Sequence, residues 1–233
     1  VWAGDEASDE AAQALGQRLA SEMTRWWQQR LQTEFALTSC MELQFERHYR
    51  RFLMPTIRGS GQGSKKRYAG LTLSGGVEKL IFRGLETVRS DWTELAKQFQ
   101  QGLYQRIFHD EDPGTFIRDM VRATRQGEHD DWLVYHRRLR RELEDYRKNE
   151  PPHVRAARLA EALEAAPQGP FRRRRGHIDY VMTTAGPEPL GVRQHAIDYE
   201  HYVEKQLRPV AEAILPFIGR HFDEWANEQL PLF

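Results

Sequence analysis

Lys65-Lys66-Arg67-Tyr68-Ala69-Gly70-Leu71-Thr72-Leu73-Ser74-Gly75-Gly76-Val77-Glu78-Lys79-Leu80-Ile81-Phe82-Arg83 is the stretch that decides the fold. Residues 66–73 and 77–83 read as two strands, and Ser74-Gly75-Gly76 between them is a three-residue, glycine-bearing connection, a hairpin signal. Toward the N-terminus, Met41-Glu42-Leu43-Gln44-Phe45-Glu46 alternates strictly and predicts a half-buried strand. Phe52-Leu53-Met54 is a short apolar run ended by Pro55. Residues 9–34 predict one long amphipathic helix, because Leu15, Leu19, Met23, Trp26, Trp27 and Leu31 recur at three- and four-residue spacing. Asp9 and Glu10 stand at its start, where the helix dipole favours acids. Toward the C-terminus the pattern changes near residue 91. Trp92, Leu95, Phe99, Leu103 and Ile107 keep a 3.6-residue period, with Asp91 as the expected N-cap. Residues 115–124 and 152–166 predict further helices, 177–183 a strand, and 199–217 a helical run broken at Pro209 and Pro216. The expectation is an α+β fold, strand-rich before residue 91 and helix-rich after it.

Composition narrows the class. The 233 residues are 39% hydrophobic and 29% charged, enough apolar content for a folded core. The mean hydropathy is −0.74. No run approaches the roughly 18 apolar residues of a membrane helix. One cysteine, Cys40, excludes an internal disulfide framework and a Cys-based zinc site, and its place beside an apolar strand predicts a packed thiol. The chain opens on Val1 rather than Met, and Asp5, Glu6, Asp9 and Glu10 stand where a secretory leader would be positive, so a fragment or trimmed chain is expected.

The 34 Lys and Arg balance the 34 Asp and Glu, but the charge is segregated. Residues 134–175 hold twelve basic against six acidic side chains, a net of +6; residues 1–35 hold three against six, a net of −3. Such segregation is the footprint of a polyanion binder, or else a solvated arginine-rich face. The basic residues concentrate in Lys65-Lys66-Arg67, in Arg137-Arg138-Leu139-Arg140-Arg141 and in Arg172-Arg173-Arg174-Arg175. On a strand, Lys66 and Tyr68 would share one face and Lys65 and Arg67 the other. A lysine and a phenol on one face can meet phosphate and minor-groove acceptors together; equally, lysines protect a solvated edge strand.

Other motifs fail. The loop Gly59-Ser60-Gly61-Gln62-Gly63-Ser64-Lys65 lacks the Gly-Lys-Ser/Thr order of a phosphate-binding loop, and the third glycine of a dinucleotide-binding fingerprint would fall at Ser64. The nine histidines show no paired metal-ligand spacing, and no nucleophile-elbow motif is present. No self-contained active site emerges. The terminal Gln229-Leu230-Pro231-Leu232-Phe233 places three apolar side chains on a polar-flanked tail, which either folds back or fills a partner's pocket.

Several of these segments together resemble one family. Lys65-Lys66-Arg67-Tyr68-Ala69-Gly70 is similar to the Lys-Lys-Arg-Tyr motif of family B DNA polymerases, here of the bacterial type. Gly84-Leu85-Glu86-Thr87-Val88-Arg89-Ser90-Asp91-Trp92 resembles the segment that leads from their palm into their thumb. Pro151-Pro152-His153-Val154-Arg155-Ala156-Ala157 and Gly176-His177-Ile178-Asp179-Tyr180 resemble thumb motifs. Asp198-Tyr199-Glu200-His201-Tyr202 with Leu215-Pro216-Phe217 resembles the thumb's closing helices, and the terminal pentapeptide resembles a bacterial sliding-clamp-binding peptide. The resemblance spans nearly the whole chain in order.

It implies the end of a palm over residues 1–91, antiparallel strands plus a long helix, then a mostly helical thumb over 92–218 and a clamp-binding tail over 219–233. It implies that Lys65, Lys66, Arg67, Tyr68, Arg137, Arg138, Arg140, Arg141 and Arg155 bind primer-template duplex DNA, and that Gln229, Leu230, Leu232 and Phe233 bind the sliding clamp. Lys66 and Tyr68 would meet the minor-groove edge, with Lys65 and Arg67 supporting them or reaching nearby phosphates. The family's Tyr-Gly-Asp-Thr-Asp motif, which holds two Mg²⁺ with a further palm carboxylate, is not in this sequence. So the resemblance implies no cofactor in this chain, Mg²⁺ only together with an upstream palm, the remainder of a polymerase as partner, and no primer extension by this chain alone. It implies a cytoplasmic, nucleoid-associated place and no membrane. The alternative is a stand-alone, non-catalytic DNA- or clamp-binding protein derived from a polymerase.

Overall fold

The computed structural model describes residues 8–56, 66–147, 150–164 and 176–226. They divide into two compact units, one within Val1–Leu53 and Ala69–Ile81, the other within Met54–Tyr68 and Phe82–Phe233. The fold is α+β, with helices and two separate three-stranded antiparallel sheets.

The first unit is built on helix α1 (Asp9–Phe35). Ser8 caps it, its hydroxyl accepting from the Ala11 N–H at 3.2 Å, and Asp9 and Glu10 occupy the first turn. Ala36 ends it in the left-handed conformation, and the amides of Ala36 and Leu37 close back onto Gln32 and Leu31. Residues 41–46 are not the expected strand. They lie along α1 rather than in a ladder. The Leu43 N–H donates to Thr24 Oγ1 at 3.0 Å, Phe45 fills the space over Gly16, where a Cβ would meet its ring at 2.2 Å, and His48 Nδ1 sits 3.1 Å from Asp9. Alternation predicted the period correctly; the pairing group is a helix side chain. The covered stripe of α1 runs through Ala12, Leu15, Leu19, Thr24 and Trp27. Met23 and Trp26, expected in that stripe, are 48% and 49% exposed. Cys40 is exposed, not packed.

Strands β1 (Arg51–Leu53), β2 (Tyr68–Ser74) and β3 (Val77–Arg83) form the first sheet in that order. The β2–β3 turn is two residues, not three: Gly75 and Gly76 both take positive φ, +58° and +80°, the mirror-image turn that suits strand twist. β2 begins at Tyr68, so Lys66 lies in the turn before it.

In the second unit, α2 (Glu94–Phe108) buries Leu95, Ala96, Phe99, Leu103 and Tyr104, and α3 (Gly114–Arg125) adds Ile117 and Val121. Phe99 and Phe116 stack with centroids 5.7 Å apart. The cap of α2 is Thr93, not Asp91. β4 (Tyr135–Arg138), α4 (Pro152–Glu164), β5 (His177–Thr183) and β6 (Gly186–Pro189) follow, giving the sheet β4-β5-β6. α4 turns Val154, Ala156, Ala157 and Ala160 inward.

The closing run is α5 (Tyr199–Tyr202), a π-helical turn Val203–Leu207, α6 (Arg208–Glu212), a 3₁₀ turn Leu215–Ile218 and α7 (Asp223–Ala226). Pro209 explains the widened turn. It has no N–H to give the Lys205 carbonyl, and the Arg208 N–H reaches back to Val203 instead. The Gln206 side-chain amide fills the vacancy, donating to the Lys205 carbonyl at 3.0 Å.

Candidate nucleic-acid interface

The segment 66–68, the connecting segment 84–91 and the Arg137–Arg141 cluster all belong to the second unit. Folding sorts their cations into two kinds. Arg67 is turned inward and half-buried, its guanidinium donating to Glu86, whose side chain is 6% exposed. Arg137 is half-buried on β4, 3.5 Å from the Asp91 carboxylate. That carboxylate is gripped from the other side by Arg89, through bonds of 2.8 and 2.6 Å. The Arg89 guanidinium beside it holds the Asp91 carboxyl below its usual range, against the opposing effect of partial burial, and Arg137 adds to the lowering. So the connecting segment clasps one basic group near each of its ends, Arg67 through Glu86 and Arg137 through Asp91.

The second kind is open. Lys66, Arg138, Arg140, Arg141 and Arg155 are exposed, and no carboxylate engages them among the described residues. The antiparallel register explains the contrast between Arg137 and Arg138. Tyr135 pairs with Tyr180 and Arg137 with Ile178 on the inner face; His136 pairs with Asp179 and Arg138 with His177 on the outer face. On that outer face His136 Nδ1 and Asp179 are 2.7 Å apart. Arg140 and Arg141 follow the buried Leu139, whose N–H is held by the Gly176 carbonyl at 2.9 Å. Arg155 stands on α4 between the buried Val154 and Ala156. Tyr68 is half-buried at the start of β2.

Sequence reasoning passed over Arg158. It donates to Glu150 and to the Leu143 and Tyr146 carbonyls at 3.1 and 3.2 Å, tying α4 to the segment that follows the arginine cluster. A lone arginine on a predicted helix carries no signal for this, because two of its three partners are backbone carbonyls. Burial lowers the pKa of His153, with Arg137 adding to the effect, and burial likewise lowers that of His201, whose Nε2 lies 3.0 Å from the Tyr135 hydroxyl. Lys65, the 172–175 arginines and the tail Gln229, Leu230, Leu232 and Phe233 lie outside the described residues.

The exposed guanidinium groups thus lie on β4, just after it and on α4, and Lys66 lies in the turn before β2. A family model for DNA polymerase family B matches residues 12–217, and the chain belongs to that family of nucleotidyltransferases. Among its relatives, DNA polymerase II of Escherichia coli (strain K12) is 50% identical over 234 residues, covering 100% of this chain and 30% of that protein. A DNA polymerase of Thermococcus kodakarensis is 30% identical over 197 residues, covering 78% of this chain and 11% of that protein. The chain therefore spans about a third or less of the length of these relatives. No helix among the described residues is long and apolar enough to cross a membrane.

Proposed function

We propose that this chain is the duplex-gripping part of a family B DNA polymerase of the DNA polymerase II type, with residues 1–91 completing the palm, 92–218 forming the thumb and 219–233 a clamp-binding tail. The observation that carries the reading is the set of exposed cations that no carboxylate engages among the described residues: Lys66, Arg138, Arg140, Arg141 and Arg155. An arginine already neutralised within the fold has little to offer a phosphate; these five keep their charge and their donors for one. Lys66 and Tyr68 would meet the minor-groove side of the primer-template end. The similar acceptors that every base pair presents there allow pairing shape to be sensed without reading sequence. Lys65 would reach a phosphate beside them, and Arg67 would either do the same or support its neighbours.

Two-metal phosphoryl transfer needs a carboxylate clamp. The Tyr-Gly-Asp-Thr-Asp motif that would supply it in this family is not in the sequence, so the reading gives this chain no catalytic step. Mg²⁺ and nucleotide would be held by the remainder of the polymerase, and the chain alone would extend no primer. The cytoplasmic, nucleoid-associated setting follows from the same reading.

The test is fluorescence anisotropy of the chain on a primer-template duplex, titrated with salt. Affinity should fall steeply as salt rises, with a log–log slope of about −0.9 for each phosphate contacted. Absence of binding at low salt would sink the reading. For the tail, deleting residues 229–233 from a polymerase carrying this segment should abolish stimulation by the sliding clamp and spare basal synthesis. Equal stimulation after deletion would remove the clamp from the proposal.

A further inference from the structure

Arg67 sits between two residues proposed to touch DNA, yet its side chain points away from solvent. Its guanidinium donates to Glu86, and the other Glu86 oxygen accepts from the Gln100 side-chain amide at 2.8 Å. The Gln100 oxygen in turn accepts from the Thr87 N–H at 2.9 Å and from its hydroxyl at 2.6 Å. Glu86 and Gln100 are 5% and 2% exposed. The relay thus runs from the turn before β2, through the connecting segment, into the middle of α2. Backbone packing reinforces it. Gly84 takes φ +63°, and a Cβ there would lie 2.4 Å from the Lys66 carbonyl, so the two chain segments touch directly. The Arg67 Nε and the Tyr104 hydroxyl are buried beside this relay with no hydrogen-bond partner among the described residues.

We propose that Arg67 is a positioning residue. Through Glu86, Gln100 and Thr87 it fixes Lys66 and Tyr68 relative to α2, and it does not itself hold a DNA phosphate. The inference rests on the reading that Lys66 and Tyr68 meet DNA, and it decides which of the two roles left to Arg67 is the real one. A buried carboxylate with both oxygens occupied is a fixed counter-charge, so the guanidinium is neutralised where it stands. Helix α2 is the rigid element behind it. A displacement of α2 would be passed to the Lys66–Tyr68 segment through three side chains whose hydrogen bonds leave little slack.

Four single variants of the 233-residue chain and one double variant separate this from direct contact: Arg67→Gln, Arg67→Lys, Glu86→Gln, Lys66→Gln and Arg67→Gln with Glu86→Gln, each checked for folding by circular dichroism. Duplex affinity and its salt slope are read by anisotropy. A positioning role predicts that Arg67→Gln and Glu86→Gln each weaken binding on the order of tenfold and leave the slope unchanged, with the double variant no worse than either single. Arg67→Lys should be as weak as Arg67→Gln, because an ammonium cannot reproduce the fork. Lys66→Gln should shrink the slope by about 0.9, as loss of one phosphate contact does. Direct contact predicts the opposite signs: Arg67→Gln shrinks the slope, Arg67→Lys binds nearly as the parent, and Glu86→Gln binds more tightly because a competing carboxylate has gone. That pattern would overturn the proposal. If the parent chain shows no salt-dependent binding, the duplex-binding reading fails on its own. Amide hydrogen exchange then decides the relay: faster exchange at residues 66–68 and at Thr87 in both Arg67→Gln and Glu86→Gln supports it, and unchanged exchange overturns it.

Discussion

Whether an arginine can take a phosphate depends first on what already holds it. Arg137 and Arg138 are neighbours in sequence, but β4 sends one inward against Asp91 and the other outward, where no described carboxylate pairs with it. Their substitution should therefore separate. Arg138→Gln, Arg140→Gln, Arg141→Gln and Arg155→Gln should each reduce the salt slope of duplex binding by up to about 0.9 with little change in stability. Arg137→Gln should instead lower the urea midpoint, since it removes a counter-charge of Asp91 and alters the surroundings of the buried Tyr135–Tyr180 pair, which stacks at 5.1 Å. If all five variants behave alike, the sorting by carboxylate partner is wrong. The cluster itself was legible as a run of like charges. Which member faces the core was not, because β4 is only four residues long and its strand period is hidden by the uniform side-chain type.

At the scale of elements, the start of α2 shows how distant parts of the chain complete one helix. Thr93 is fully buried, its hydroxyl accepting from the Ala96 N–H at 3.4 Å and donating to Gln206 Oε1 at 2.9 Å. The Thr93 N–H adds a weaker bond to the same oxygen at 3.3 Å. Gln206 lies in the π-helical turn before Pro209, so the break in the last helical run presents the side chain that secures the first. Thr93→Ala should cost about 2 kcal/mol, the sum of a lost cap and a buried amide oxygen left with one weak donor, measured as a shift in urea unfolding. Thr93→Ser should recover most of it. An Ala variant as stable as the parent would show that the cap contributes nothing. From sequence, Asp91 was the more attractive cap, being an acid just before an apolar period. The structure spends Asp91 on Arg89 and Arg137 instead, and a contact between residues 93 and 206 has no local signal. The 41–46 segment is the complementary case: its alternation was real, but a period of two does not say whether the partner is a strand or a helix.

For the whole chain, acid should act on the second unit through its half-buried imidazoles. Burial holds His153 and His201 below the ordinary imidazole pKa of about 6.5, so the unfolded chain binds more protons than the folded one between the two values. Their contribution is intact above about pH 6.5 and is lost as the pH falls through the folded-state values. Urea midpoints should therefore drop between pH 7.5 and pH 5.5, and His201→Gln should flatten that drop. A flat profile in the parent chain would refute the assignment. The carboxylate of Asp91, held low chiefly by Arg89, adds a second loss only in stronger acid, as the pH falls below about 4.

By itself the sequence determined the class of fold, the long first helix, the glycine hairpin, the amphipathic core of α2 and the presence of concentrated positive charge, because each is a property of neighbours within a few residues. Family membership was legible for the same reason, as ordered short motifs along the chain. Only the tertiary structure decided which cations are neutralised. Glu86 for Arg67, Asp91 for Arg137 and Gln206 for Thr93 are choices among many polar side chains of similar chemistry. They are made when burial removes water as a competitor and leaves each buried group the partner that the packing places within reach.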